Sequence, residues 1–258
     1  MGSRICIIGA IGEEIAGIKQ RLRIGHKHRL GKTTVFAGKW LGHEVFLVRS
    51  GIGMVRAEAS LSAVCQQFSP ALIISIGFAG GLDARLKSGD LLIAEKVIAL
   101  SGDSSRNFAK AQSTAEETLA LDLVDRALRL AGPMAACAYR GVLLTVDAPI
   151  LGPEQKRAAG KLYSAQAVDM ETFALARFAR ENGTPFLSVR AVSDTVDQEL
   201  MDLSGLVGEG GEVSKLKAGW HVVTHPGSMK GMLALGQVAK KACANLADFV
   251  SRFIQDYE

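Results

Sequence analysis

The chain has 258 residues, 48% of them hydrophobic, with only 6 prolines, which suits one large α/β domain over residues 1–258 better than two small ones. Its net charge of +4 is spread without a basic run or interleaved aromatics, excluding a nucleic-acid footprint, and no apolar run reaches the roughly 20 residues that span a bilayer. Cys6, Cys65, Cys137 and Cys243 lie far apart without metal-ligand spacing, as expected of reduced thiols in a cytoplasmic protein, and the opening residues lack a signal-peptide layout.

Residues 4–10 (RICIIGA) form a β-branched run closed by Gly9, and residues 11–22 follow with Ile15, Ile18 and Leu22 on one helical face. Residues 35–38 and 44–49 read as a hairpin turned at Gly42. Gly51-Ile52-Gly53 then precedes a helix over 54–68. The nearly all-apolar residues 71–76 read as a strand covered on both faces, ending in Gly77-Phe78-Ala79-Gly80-Gly81. Strands are expected at 91–100 and 141–147, and helices at 118–130 and 154–162. A short strand at 167–168 leads into a helix over 171–181, a last strand covers 185–192, and a long helix covers 231–254. Residues 101–115 are polar and read as a loop over the site, with 203–213 a second mobile candidate.

This alternation predicts a three-layer α/β/α sandwich around a central mixed, mostly parallel sheet. Ligands gather at the carboxyl ends of strands in such sheets. Three of those ends carry glycine clusters and a fourth carries Ser193-Asp194.

Familiar motifs fall away in turn. Gly51-Ile52-Gly53-Met54-Val55-Arg56 opens a helix but has Arg56 at the third glycine position and no acidic residue at the next strand end, so no dinucleotide cofactor is expected. The Walker lysine motif and Gly-x-Ser-x-Gly are absent. His221 and His225 have metal-compatible spacing, but no glutamate lies between them and Pro226 follows; no metal is expected. The carboxylates are the sharper signal. Glu13 and Glu14 could match a helix dipole, Glu171 could open a helix and Asp194 could be an N-cap. Yet Glu14, Glu171 and Asp194 all fall at strand ends on one rim, beside apolar sequence where an unpaired charge is costly.

Taken together, Ile8-Gly9-Ala10 with Glu13-Glu14, Ser50-Gly51-Ile52-Gly53, Gly77-Phe78-Ala79-Gly80-Gly81-Leu82 with Lys87-Ser88-Gly89-Asp90, Val168-Asp169-Met170-Glu171 and Arg190-Ala191-Val192-Ser193-Asp194 resemble the nucleoside phosphorylase and nucleosidase superfamily. The order is most similar to methylthioadenosine/S-adenosylhomocysteine nucleosidases and to hopanoid-associated phosphorylases. The resemblance implies cleavage of a purine N-glycosidic bond through an oxocarbenium-like ribosyl transition state. Such chemistry asks for a proton donor to the base, a grip on the ribose and a nucleophile on the opposite face. The resemblance assigns Asp194, helped by Ser193, to protonate the purine; Glu171 to hold the ribose hydroxyls, with Met170 against the sugar; and Glu14 to activate water, with Arg190 nearby. Phe78, Ala79, Gly80 and Asp169 would complete the substrate site, and the adenine would lie near Val146, Pro149 and Ile150.

Departures from the nucleosidase pattern lean toward the hopanoid-associated branch and a bulky apolar 5' group. They are Asp169 in place of the first Glu of Glu-Met-Glu, Phe78 in place of Ser, Pro149 in place of an aromatic, and no His-Asp-Ala-Asp stretch after the Gly-Asp strand. A phosphorolytic enzyme, with phosphate as co-substrate and Arg49, Arg56 or Arg85 holding it, is the nearest rival; a catalytically idle nucleoside-binding module is the next. No other cofactor is implied. By analogy the partners are a small nucleoside and further copies of the chain, a dimer first.

Overall fold

A computed structural model describes residues 2–101, 112–200 and 228–257. Strand β1 (Arg4–Gly9) is buried at every position after its first, as its RICIIG sequence demands. Parallel neighbours cover both its edges, β4 (His43–Arg49) on one side and β5 (Leu72–Gly81) on the other. Strand β3 (Thr33–Trp40) returns antiparallel to β4 through the two-residue turn Leu41-Gly42, both at positive φ (48° and 86°), the mirror-image turn that tight hairpins favour. The expected hairpin is therefore present, with a longer first strand.

An unforeseen strand, β2 (Arg23–Leu30), pairs antiparallel with β3 at the sheet edge. Its sequence RIGHKHRL is mostly exposed. Charged edge strands of this kind lack the apolar alternation that betrays a strand, and their charges discourage edge-to-edge association.

The remaining strands are β6 (Leu91–Ser101), β7 (Gln112–Thr118), β8 (Ala138–Thr145), β9 (Ala167–Asp169) and β10 (Phe186–Asp194). Here the structure corrects two expectations. Residues 112–115 belong to β7, antiparallel to β6, and not to a loop; 102–111, the remainder of that stretch after β6, lie outside the described residues, as do 203–213, His221 and His225. The sheet also is not the open, mostly parallel layer of a sandwich. Strand β10 pairs with both β5 and β6, while β6, β8, β9 and β5 pair in succession, so these strands close into a ring from which β1, β4, β3 and β2 extend. Parallel and antiparallel pairings are equally represented among the described residues. The closing piece is the three-residue β9, set antiparallel against Gly80 and Gly81.

Helices α1 (Gly12–Arg21) and α6 (Ser228–Asp256) pack on each other, with α6 also against β10; α2 (Met54–Phe68) packs on α5 (Thr172–Glu181); α3 (Leu121–Ala131) lies on β6 and β8. Helix α4 (Pro153–Tyr163) follows β8 and leads into β9. The core is built of buried Ile, Leu and Val from the central strands, closed by Phe249 and Phe253 of α6. No helix among the described residues is long and apolar enough to cross a membrane.

Candidate active site

Each site side chain sits where a strand stops. Strand β1 ends at Gly9, and after two residues, Ala10 and Ile11, α1 begins, so the backbone turns sharply there. Glu14 reaches back into that turn: Oε2 accepts from the amides of Ala10 (2.7 Å) and Ile11 (3.1 Å), and Oε1 from the amide of Phe78 on β5 (2.9 Å). Its carboxylate thus bridges two strand ends. Burial pushes its pKa above the usual 4.5, against the opposing pull of these amides and of Arg190.

Glu171 stands at the N-cap of α5 and accepts from the Gly53 amide at 2.7 Å. Gly53 has φ 96° and ψ 152°, a conformation essentially reserved to glycine, which aims that N–H at the carboxylate. Desolvation, followed by the charges of Asp169 and Glu14, raises Glu171 from 4.5 to about 8.

Asp194 owes its position to an irregularity. The parallel register of β10 on β5 runs Arg190 to Gly77, Ala191 to Phe78 and Val192 to Ala79, then shifts so that Asp194 meets Gly80. Ser193 is the extra residue, a bulge that turns both Ser193 and Asp194 toward one cavity where strict alternation would separate them. The missing side chain at Gly80 makes room, since a Cβ there would come within 3.1 Å of Asp194 Oδ2. Asp194 Oδ1 lies 2.6 Å from the Ser193 hydroxyl, and Oδ2 accepts from Lys156 Nζ of α4 at 2.5 Å.

One cavity of about 220 Å³ is lined by Glu14, Glu171, Asp194, Ser193, Met170, Asp169, Phe78, Ala79, Gly80, Val146, Pro149 and Ile150, every residue expected there except Arg190. Gly77, against Glu14, and Gly80, against Asp194, stand three residue steps apart on β5, about 10 Å at the rise of a strand. Ile11, Ile52, Val168 and Leu200 add apolar wall that sequence reasoning had not singled out.

Arg190 stands behind that wall, 2% exposed, beside a small gap shared with Glu14 and Glu171. Its guanidinium donates to Asp169 Oδ2 (3.0 Å), Ser75 Oγ (2.9 Å) and Thr172 Oγ1 (2.5 Å). Asp169 in turn accepts from Thr145 Oγ1 at 2.7 Å and from the Thr172 hydroxyl and amide. The expectation that Arg190 binds substrate is corrected to this extent: its guanidinium is answered by Asp169, and it stands behind the cavity that Asp169 itself lines.

Lys156 was missed altogether. It occupies an inward position on α4 with Ala159, wholly buried, where periodicity asks for an apolar residue. A lysine in that register was the available signal. Arg85, offered as a phosphate ligand, is bound to Asp83 and is exposed, whereas Arg49 and Arg56 line a cavity of about 680 Å³ with Arg29, Lys32, Ser50 and Gly51.

With this geometry established, comparison with known proteins gives a consistent result. The model of the phosphorylase superfamily matches residues 4–216. A 5'-methylthioadenosine/S-adenosylhomocysteine nucleosidase of Marinomonas sp. (strain MWYL1) is 33% identical over 207 residues, 76% of this chain and 88% of that protein. Among solved structures, the Neisseria meningitidis 5'-methylthioadenosine/S-adenosylhomocysteine nucleosidase in complex with methylthio-immucillin-A superposes with a TM-score of 0.76 at 23% identity, covering 98% of this chain and 99% of that one. Futalosine hydrolase of Helicobacter pylori strain 26695 gives 0.77 at 21%, covering 98% of each. At these identities the two structures attest the fold alone.

Proposed function

Because this chain belongs to the phosphorylase superfamily, we propose that it cleaves the N-glycosidic bond of a 5'-modified adenosine by hydrolysis, releasing adenine. The observation that carries the reading is the meeting of Glu14, Glu171 and Asp194 on one cavity. In this reading the purine lies against Asp194 and Ser193, with Val146, Pro149 and Ile150 around its ring. Glu171 accepts hydrogen bonds from the ribose hydroxyls, and Met170 packs on the sugar. Glu14, held by three backbone amides, takes a proton from water on the opposite face. As the C–N bond lengthens its electron pair moves onto the base, Asp194 delivers a proton there, and the ribosyl cation is caught by the water.

The apolar walls at Ile11, Ile52 and Leu200 favour an apolar 5' substituent, in keeping with the hopanoid-like departures in sequence. The same reading takes the chain as one cytoplasmic domain working as a homodimer, needing no cofactor. A nucleoside sensor would have no use for a proton donor and a base at opposite ends of its cavity.

A second reading has its own support. Ser50 borders both the gap beside Glu14 and the cavity ringed by Arg29, Lys32, Arg49 and Arg56, a setting suited to an anion next to the sugar. Phosphate would then replace water. The deciding experiment incubates the protein with methylthioadenosine, S-adenosylhomocysteine and an adenosine bearing a long 5' alkyl group, with and without phosphate. Hydrolysis yields adenine and free sugar in both buffers; sugar 1-phosphate identifies the phosphorolytic version, and no adenine from any substrate contradicts both.

A further inference from the structure

Lys156 is 0% exposed and spends its three N–H donors on three oxygens: Asp194 Oδ2 at 2.5 Å, the Gln198 carbonyl at 2.7 Å and the Thr195 carbonyl at 3.2 Å. It sits in the first turn of α4, where the helix dipole disfavours a cation. A buried lysine in that place is tolerable only because Asp194 answers its charge. The other oxygen of Asp194 lies 2.6 Å from the Ser193 hydroxyl. With both oxygens facing donors, the carboxyl has the hydrogen-bond pattern of an acceptor, and the proton the pair can give up sits on Nζ. Asp194 lines the cavity and Lys156 does not.

We infer that Lys156 is the proton store for the departing base and Asp194 the relay that hands the proton on. This rests on the glycosidic cleavage proposed above. In the step, an Nζ–H bond of Lys156 breaks as an O–H bond forms on Asp194; that O–H bond breaks as an N–H bond forms on the purine. The glycosidic electron pair stays with the base, which leaves neutral. Lys156 remains as a neutral amine beside a carboxylate and regains its proton from solvent once product leaves. Lys156 touches no substrate, so it acts as a positioning residue that also carries charge for its partner.

The test separates this role from a structural one by leaving group. The substrates are a 5'-modified adenosine and the p-nitrophenyl riboside with the same 5' group, whose nitrophenolate departs without a proton. Lys156→Arg keeps the positive charge but holds its proton too firmly to give it up. We expect it to lower kcat on the adenosine by about 10²-fold or more, the scale of general acid catalysis, while kcat on the nitrophenyl riboside stays within about threefold. Lys156→Gln, smaller and uncharged, should show the same split and covers the case in which arginine does not fit; circular dichroism and thermal melting establish that each variant is folded. An equal loss on both substrates, or full activity of Lys156→Arg on the adenosine, overturns the inference while leaving the cleavage reading intact. A parent enzyme that cleaves no adenosine removes both.

Discussion

The amide of Gly53 donates to Glu171 Oε1 across 118 residues of sequence at 2.7 Å, fastening the glycine turn before α2 to the carboxylate at the head of α5. The bond exists because Gly53 adopts φ 96°, where a side chain is strained even though open space surrounds it. Gly53→Ala should therefore cost about 1–3 kcal/mol in stability and swing the N–H away from Glu171. Because Glu171 holds the sugar in this account, KM should rise along with the loss of stability, measured by urea unfolding and steady-state kinetics. An unchanged KM would detach this turn from ribose binding.

Glu171 also makes a prediction in pH. Its folded value, raised to about 8 from 4.5, means that the folded chain holds the proton more tightly than the unfolded chain does. Its contribution to stability is complete below pH 4.5 and is lost as pH rises through about 8. Glu171→Gln, a permanent mimic of the protonated form, should gain thermal stability relative to the parent across that window and level off above it. Melting temperatures from pH 4 to 9 provide the check, and a gap that does not vary with pH contradicts the assignment.

Asp169 and Arg190 are both buried and bonded at 3.0 Å. Removing one partner strands the other, so Asp169→Ala or Arg190→Met should each cost about 3–5 kcal/mol, while the double replacement costs less than the sum. A double-mutant cycle in urea measures the coupling. Additive losses would show that the pair is not a unit.

Glu14→Gln keeps the size and two of the acceptor directions but removes the base. We expect kcat to fall about 10²–10⁴-fold with little change in KM. A variant with unaltered kcat would take water activation away from Glu14.

Much of the fold and of the site is legible in the sequence, for reasons that particular residues explain. Strands such as RICIIG and LIISIG announce themselves by unbroken apolar runs, and the carboxylates at their ends stood out against those runs. Strand β2 was invisible because its RIGHKHRL sequence lies on an exposed edge, and ring closure was hidden because it depends on three residues of β9 and on β10 pairing along both edges. The bulge at Ser193 could not be foreseen, since the shift from Val192 to Asp194 arises only when β10 meets β5. Lys156 was overlooked because one lysine in a lysine-bearing helix reads as surface until its inward register is counted. The resemblance places Arg190 beside Glu14, with which it shares a small gap, but alternation along β10 turns its guanidinium to Asp169, behind the cavity wall.

The most direct measurement is a crystal structure with methylthio-immucillin-A bound. This account predicts its purine-like ring within hydrogen-bond distance of Asp194, the sugar-mimic hydroxyl on Glu171, and a water held between Glu14 and the far face of the sugar mimic. A ligand seated away from this cavity, or turned so that its base meets Glu14 and its sugar mimic meets Asp194, would contradict it.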